Sequence, residues 1–125
     1  MLEGFERVGT RKGTPKMTIT DTGLLFNDKA KTLMRDSCFV FLINRESRKV
    51  ALQRTIENDR DAIHSKRIQR IFTNRGIREA IKEMMGWDME NHYYKASGVY
   101  DEKEEAIIFN LKTAVEKQKI TRREK

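Results

Sequence analysis

The sequence contains few of the residues on which specialised architectures and catalytic sites depend. Among its 125 residues are one cysteine, one proline, one tryptophan and two histidines. The single cysteine, Cys38, excludes an internal disulfide framework and is typical of a reducing compartment. Because Cys38 begins the apolar run CFVFLI, we predict a buried and unreactive thiol.

Long apolar segments are also missing. No stretch approaches the roughly 20 apolar residues that a membrane-spanning helix needs. The opening MLEGFERVGTRK contains no apolar segment of the kind found in signal peptides. We therefore expect a soluble cytoplasmic protein without a membrane partner.

Motifs of known catalytic sites are absent as well. The sequence has no serine in a nucleophile elbow, no glycine cluster of the phosphate-loop type and no CxxC pair. The segment 57–64 contains residue types that bind divalent cations, but their spacing fits no recognised ligand pattern. These residues are Glu57, Asp59, Asp61 and His64. We predict that the protein is not an enzyme and has neither a metal nor a cofactor.

Charge is abundant and unevenly spread along the chain. The 26 basic residues exceed the 19 acidic ones, which gives a net charge of +7. Residues 60–82 hold seven basic side chains against two acidic ones, whereas residues 83–116 are net acidic. Clustered lysine and arginine release counterions from phosphates, so this segregation is typical of a polyanion-binding surface.

The length and composition predict one compact domain with charged ends. A content of 38% hydrophobic residues is too high for a wholly disordered chain, even though 36% of the residues are charged. We expect a flexible basic arm over 1–15, a single α+β domain over 16–116 and a disordered basic tail over 117–125.

The first half of the domain, 16–54, reads as strands, a helix and a hairpin. KMTIT and LLF are short strands around a DTG turn, in which Gly23 is free to adopt a positive φ. Asn27 then caps the helix DKAKTLM, and CFVFLIN and VALQRT form a hairpin. The apolar residues of CFVFLIN do not alternate with polar ones, which predicts a central strand covered on both faces.

The second half, 74–112, repeats the order of helix and hairpin. A helix begins after Asn74 and ends at Gly86, and HYYKASGVY and EAIIFNL follow as a hairpin. A long basic connection, 55–73, with a turn of helix joins the halves. This pattern predicts a small mixed or antiparallel sheet from two helix-plus-hairpin halves, with two or three short helices.

The run ITDTGLLFNDKAKTLM, with the hairpin that follows, resembles the DNA-binding half of the AbrB and SpoVT family over residues 18–53. The matching features are Gly23 in the turn, the helix that contains Leu33 and the hairpin that ends at Leu52. In that family these elements form a swapped-hairpin dimer. The resemblance implies a homodimer that binds DNA.

Two positions depart from the family pattern, because Leu24 and Asn27 stand where the family has an arginine and a proline. The family's DNA contacts are therefore not carried over to these positions. ITDTGLLFN together with EMMGWDMENHYY also looks like short uncharacterised proteins of Gram-positive bacteria and their phages or mobile elements. That similarity implies a bacterial or phage setting and no activity.

The candidate binding site is the basic segment at the centre of the chain. Its arginines can follow a phosphate backbone, and Phe72 among them offers a ring on which an unpaired base could stack. The candidate residues, which include two of the tail, are Lys66, Arg67, Arg70, Phe72, Arg75, Arg78, Lys82, Arg122 and Arg123. In the alternative interpretation the charges only solvate a long loop that its isoleucines and Phe72 pin to the core.

The aromatic residues Trp87, Tyr93, Tyr94 and Tyr100 allow a second site, a base-stacking platform on the sheet. Core packing is the favoured prediction for them, because large aromatic side chains dominate small cores. His92, beside two of these tyrosines, is predicted to cap the start of a strand rather than to act as a base.

Three functions fit these observations. The favoured one is a small nucleic-acid-binding protein, with DNA favoured over RNA, that has a regulatory or accessory role in bacterial or phage DNA metabolism. The alternative is a non-enzymatic phage or mobile-element protein that binds a host protein partner. The third is a metal-dependent nuclease that uses the carboxylates of 57–64.

Overall fold

The computed structural model describes Glu3 and residues 13–118. These residues form eight β-strands, two α-helices and two short 3-10 helices. The strands are β1 Lys16–Ile19, β2 Leu24–Phe26, β3 Cys38–Asn44, β4 Lys49–Thr55, β5 Ile63–His64, β6 His92–Asp101, β7 Ala106–Asn110 and β8 Val115–Gln118. The α-helices are α1 Asp28–Leu33 and α2 Arg75–Met85, and the 3-10 helices are Ser65–Ile68 and Leu111–Thr113.

The strands form one antiparallel sheet in the order β2-β1-β6-β7-β4-β3-β5, with β8 beside β6. The long strand β6 pairs with β1 and β8 along its N-terminal half and with β7 along its C-terminal half. Both predicted hairpins are present, β3–β4 and β6–β7, and β4 lies beside β7. The predicted α+β class with an antiparallel sheet is confirmed.

The sheet curls around a single apolar core. Phe72, which follows β5 in the chain, bridges Leu24 of the edge strand β2, so the segment after β5 leads from one edge of the sheet to the other. The rings of Phe26 in β2 and Phe109 in β7 lie 6.3 Å apart between centroids across the interior. The largest fully buried side chains are Phe39, Phe72, Phe109, Met17, Ile19, Leu24, Met34, Leu52, Ile68, Ile81, Ile107 and Leu111.

The two helices begin and end where their capping residues predict. The Asn27 Oδ1 atom accepts a hydrogen bond from the Ala30 N–H at 3.1 Å at the start of α1. At the start of α2, Asn74 Oδ1 accepts from the Ile77 N–H at 3.0 Å. Helix α2 ends at Gly86, which has the left-handed φ of 66° expected of a C-terminal glycine.

The prediction that β3 is a central strand covered on both faces is wrong. Strand β3 pairs with β4 along its whole length, but on its other side it pairs with β5 only at Cys38 and Phe39. Leu42, Ile43 and Asn44 are exposed. The apolar run therefore covers the core with one face and leaves apolar side chains at an open edge.

Three further features differ from the expectations. Gly23 does not have a positive φ, since Gly86 is the only glycine with one among the described residues. Strands β5 and β8 were not predicted, because each is short and lacks a run of alternating apolar residues. Strand β8 also includes Lys117 and Gln118, at which the disordered tail was expected to begin.

Candidate nucleic-acid interface

The segment that connects β5 to α2 is packed against the core rather than free. The Ser65 N–H donates to the Ser37 carbonyl at 2.9 Å, next to the β3–β5 pairing. The Phe72 N–H and carbonyl exchange hydrogen bonds of 2.8 and 2.9 Å with Leu24. Ile68 is completely buried. The predicted attachment of this loop to the core by apolar residues is confirmed, although Ile71 is 39% exposed.

Because the apolar residues of this segment point inward, its cations point outward. Lys66, Arg67, Arg70, Arg75 and Lys82 are all exposed. Within the described part of the chain none of these five forms an ion pair; the pairs there involve Arg45, Arg78 and His92. We call these five residues the basic surface. A fixed backbone that holds unpaired cations toward solvent presents them to an anionic partner at a reduced cost in ordering entropy.

The prediction that Phe72 stacks on an unpaired base is contradicted, because its ring is only 1% exposed. One side of the ring stacks on Phe41, with centroids 6.0 Å apart and an interplanar angle of 7°. The guanidinium carbon of Arg67 lies 5.5 Å from the Phe72 ring centroid. This cation–π contact orients Arg67 at the surface. The buried ring of Phe72 therefore packs against Arg67 of the basic surface.

Arg78 differs from Arg67, Arg70 and Arg75 because its guanidinium group is bonded to other described residues. Its Nη1 donates to the Asp21 carbonyl at 2.8 Å, and its Nη2 lies 3.8 Å from Glu79 Oε2. Only 24% of its side chain is exposed. Arg78 joins helix α2 to the β1–β2 turn and is therefore not counted in the basic surface.

The β1–β2 turn brings the two parts of the basic surface together. Gly23 of this turn contacts Ile71 and Phe72 on one side, and Asp21 of the turn accepts from Arg78 of α2 on the other. Along α2, Arg75 and Lys82 lie on the same side as Arg78, because residues three and four apart are neighbours on a helix. The β1–β2 turn therefore contacts both the loop that holds Lys66, Arg67 and Arg70 and the helix that holds Arg75 and Lys82.

The positive charge of this surface is not uniform. Lys82 and Arg78 line a depression of about 240 Å³ together with three acidic residues, Asp21, Glu79 and Glu90. Lys66, Arg67 and Arg70 do not line this depression and lie five or more residues from any acidic residue in the sequence, whereas Arg75 lies four residues before Glu79 on α2. The stretch from Lys66 to Arg70 is therefore the most favourable part for a polyanion. Arg122 and Arg123, the predicted residues of the tail, lie outside the described residues.

The carboxylates of 57–64 do not converge on a common point. Asp59 accepts from the Asp61 N–H at 2.9 Å and from the Thr55 hydroxyl at 2.7 Å. Both hydrogen bonds lower the pKa of Asp59, and the one from Asp61 has the larger effect. Burial raises the pKa of Asp59 but has a smaller effect. His64 Nδ1 accepts from the Lys66 N–H at 3.1 Å and so caps the 3-10 helix. In residues 13–118 and Glu3, no group of three or more histidine, cysteine, aspartate or glutamate side chains is arranged to hold a metal ion.

A depression of about 310 Å³ beside this loop contains the cysteine. Cys38 and His64 are cross-strand partners in β3 and β5, and both line this depression. Cys38 is half-buried and forms no disulfide. The expectation of a buried thiol therefore holds only in part.

The favoured core assignment is confirmed for Trp87, Tyr94 and Tyr100, whereas Tyr93 is half-buried and does not belong to the core. Tyr94 is 4% exposed and stacks on Trp87 with ring centroids 3.9 Å apart. Tyr100 is partly buried against the same core. His92 is the first residue of β6, and its Nε2 lies 3.2 Å from Glu116 Oε2 in β8. Local sequence gives no signal for that contact, because Glu116 lies in a strand that was not predicted.

Neither of the α-helices in the described residues is long and apolar enough to cross a membrane.

The comparisons with other proteins add no family assignment. No family model matches the chain, and no curated protein or solved structure matches it either.

Proposed function

We propose that this chain is a small nucleic-acid-binding protein that contacts phosphates through its basic surface, in a regulatory or accessory role in bacterial or phage DNA metabolism. One observation supports this most strongly. Lys66, Arg67, Arg70 and Arg75 are exposed and without ion-pair partners among the described residues, on a segment that Ile68 and Phe72 fix to the core. Each such cation placed on a phosphate releases a counterion, which favours binding.

The form of nucleic acid follows from the chemistry of this surface. Recognition of single strands relies on aromatic rings on which bases stack, and the only aromatic residue of this segment, Phe72, is buried. Contacts limited to phosphates suit a duplex, whose backbone is continuous and regular, and give little sequence preference. DNA is favoured over RNA on the resemblance of residues 18–53 to a DNA-binding family.

Fluorescence anisotropy with labelled duplex DNA, single-stranded DNA and RNA tests the proposal. The informative variant is Lys66→Gln, Arg70→Gln and Arg75→Gln combined. Arg67 and Arg78 are left in place, because they pack on Phe72 and bond to Asp21. At roughly 0.15 M salt each phosphate contact contributes about fivefold to affinity, so we expect the triple variant to bind duplex DNA on the order of 100-fold more weakly.

A charge-matched control removes the same number of cations elsewhere. Lys49, Lys103 and Lys112 are exposed and lie outside the basic surface, in β4, in the β6–β7 turn and in the second 3-10 helix. Replacing all three with Gln is expected to preserve most of the affinity. No binding by the intact chain to any of the three nucleic acids at low salt would overturn the proposal and favour the alternative, a protein partner from the host.

A further inference from the structure

We propose that two copies of this chain associate through the open edge of β3, in an antiparallel pairing centred on Leu42. This inference does not depend on nucleic-acid binding. It follows from the length, the hydrogen-bonding direction and the composition of the edge. A second copy is the occupant that satisfies all three.

The open edge has a defined length. On its outer side β3 is covered by β5 only at Cys38 and Phe39, so residues 40–44 have no strand beside them in the described part of the chain. The β3–β4 turn follows at residue 45. The window available to another strand is therefore five residues long, limited by β5 at one end and by the turn at the other.

The direction of the backbone groups identifies which residues are unsatisfied. The Ser37 carbonyl accepts from Ser65, so Ser37 faces the β5 side of β3. Backbone groups alternate sides along an antiparallel strand, so Phe41 and Ile43 face the same side. Beyond the β5 pairing, their N–H and carbonyl groups have no backbone partner there among the described residues.

A two-fold axis at Leu42 satisfies these groups with a second copy. Phe41 of each copy then lies opposite Ile43 of the other, and each of these two pairs exchanges two backbone hydrogen bonds. Leu42 lies opposite Leu42 of the other copy in a non-hydrogen-bonded pair. A centre one residue earlier would place the partner's strand against Phe39, which β5 already occupies. Only the centre at Leu42 fills the whole window.

The side chains of the window suit self-association. Residues 40–44 contain no charge, proline or glycine, the features with which proteins normally protect an exposed edge. Leu42 is 44% exposed and Ile43 is 37% exposed. Because the window is uncharged, pairing it with itself brings no like charges together.

A cavity beside the edge provides space for a partner's side chain. It has a volume of about 130 Å³ and lies between β3, with Phe41 and Ile43, and α2, with Ile77 and Ala80. In the proposed pairing the partner's Ile43 lies directly opposite Phe41. Its side chain is on the same face of the sheet as this cavity and can fill it, so that burial of apolar surface adds to the strand pairing.

The mass of the full-length chain in solution, measured by sedimentation and light scattering without nucleic acid, tests the proposal. We expect a dimer that Leu42→Lys converts to a monomer, because two ammonium groups would face each other at the axis. Val99→Lys is the matched control, since Val99 is an exposed apolar residue of the same sheet, 71% exposed and remote from the edge. It is expected to remain a dimer.

Two further experiments test whether the two-fold axis of the dimer passes through Leu42. Mixing the Leu42→Lys and Leu42→Glu variants should restore a dimer, because opposite charges then meet. In a Cys38→Ser background, Leu42→Cys should form an intermolecular disulfide on oxidation, because the Cβ atoms of a non-hydrogen-bonded pair are the closer ones, about 4.5 Å apart, which is at the upper end of the range that a disulfide bridges. Val99→Cys in that background should not. A monomeric native chain, or a dimer that Leu42→Lys leaves intact and Leu42→Cys does not cross-link, would overturn the proposal.

Discussion

At the scale of single residues, Gly23 lies in the turn that the sequence predicts, but the reason why glycine is required there differs from the predicted one. The DTG sequence predicts a turn glycine with a positive φ, and the turn is present, but the φ is not positive. Glycine is needed there because a Cβ atom would lie 2.6 Å from the Phe72 carbonyl oxygen and 2.8 Å from Ile71 Cγ1. The residues that require it are distant in sequence, so no local pattern shows the constraint.

This crowding predicts the effect of Gly23→Ala. The added methyl group must displace backbone of the segment that closes the sheet, which we expect to cost about 1–3 kcal/mol in the free energy of unfolding. Gly76→Ala is the control, because its Cβ would meet only Asn74 Oδ1 at 3.5 Å within a helix, where alanine is favoured by about 0.5–1 kcal/mol. Urea unfolding of both variants measures the difference, and equal stabilities would contradict the account.

At the scale of elements, the pairing of β8 with β6 places Glu116 directly opposite Tyr94. Tyr94 is buried in β6, and this burial, followed by the negative charge of Glu116 in β8, raises its pKa above the ordinary value. A phenol whose pKa is raised by folding stabilises the fold while it is neutral. That contribution is complete below the unfolded pKa of about 10 and is lost as the pH rises through the folded pKa.

Glu116→Gln tests this coupling. The substitution removes the negative charge that raises the pKa of Tyr94 and keeps an oxygen that can accept a hydrogen bond from its hydroxyl, so we expect the phenol to titrate at lower pH in the variant. The measurement is the ultraviolet absorbance titration of the native chain and the variant, each corrected by the corresponding Tyr94→Phe protein. An unchanged midpoint would show that β8 does not lie against Tyr94 in solution.

Also at this scale, the elements that could be predicted are those with local signals. Asn27, Asn74 and Gly86 mark the ends of the helices, and alternation or continuous apolar character marks the longer strands. The position of β3 near an edge could not be predicted, because strand order is set by tertiary contacts. Strands β5 and β8 are too short and polar to stand out, and their partners lie far away in sequence.

At the scale of the whole molecule, the basic segment combines the two interpretations that the sequence left open. Its isoleucine and phenylalanine side chains attach it to the core, and that attachment holds its cations outward. The sequence showed the number and clustering of the charges. It could not show that Phe72 is buried or that Arg78 is bonded within the fold, because both depend on contacts with the β1–β2 turn and its neighbours.

The dependence of duplex DNA affinity on salt concentration tests the central claim most directly. For contacts made only with phosphates, the logarithm of the association constant falls with the logarithm of salt concentration by about 0.9 per phosphate. We predict that replacing Lys66, Arg70 and Arg75 with Gln makes this slope shallower by about 2–3, while the control triple of lysines leaves it nearly unchanged. Equal slopes for the two variants, or an affinity independent of salt, would contradict a phosphate-binding basic surface.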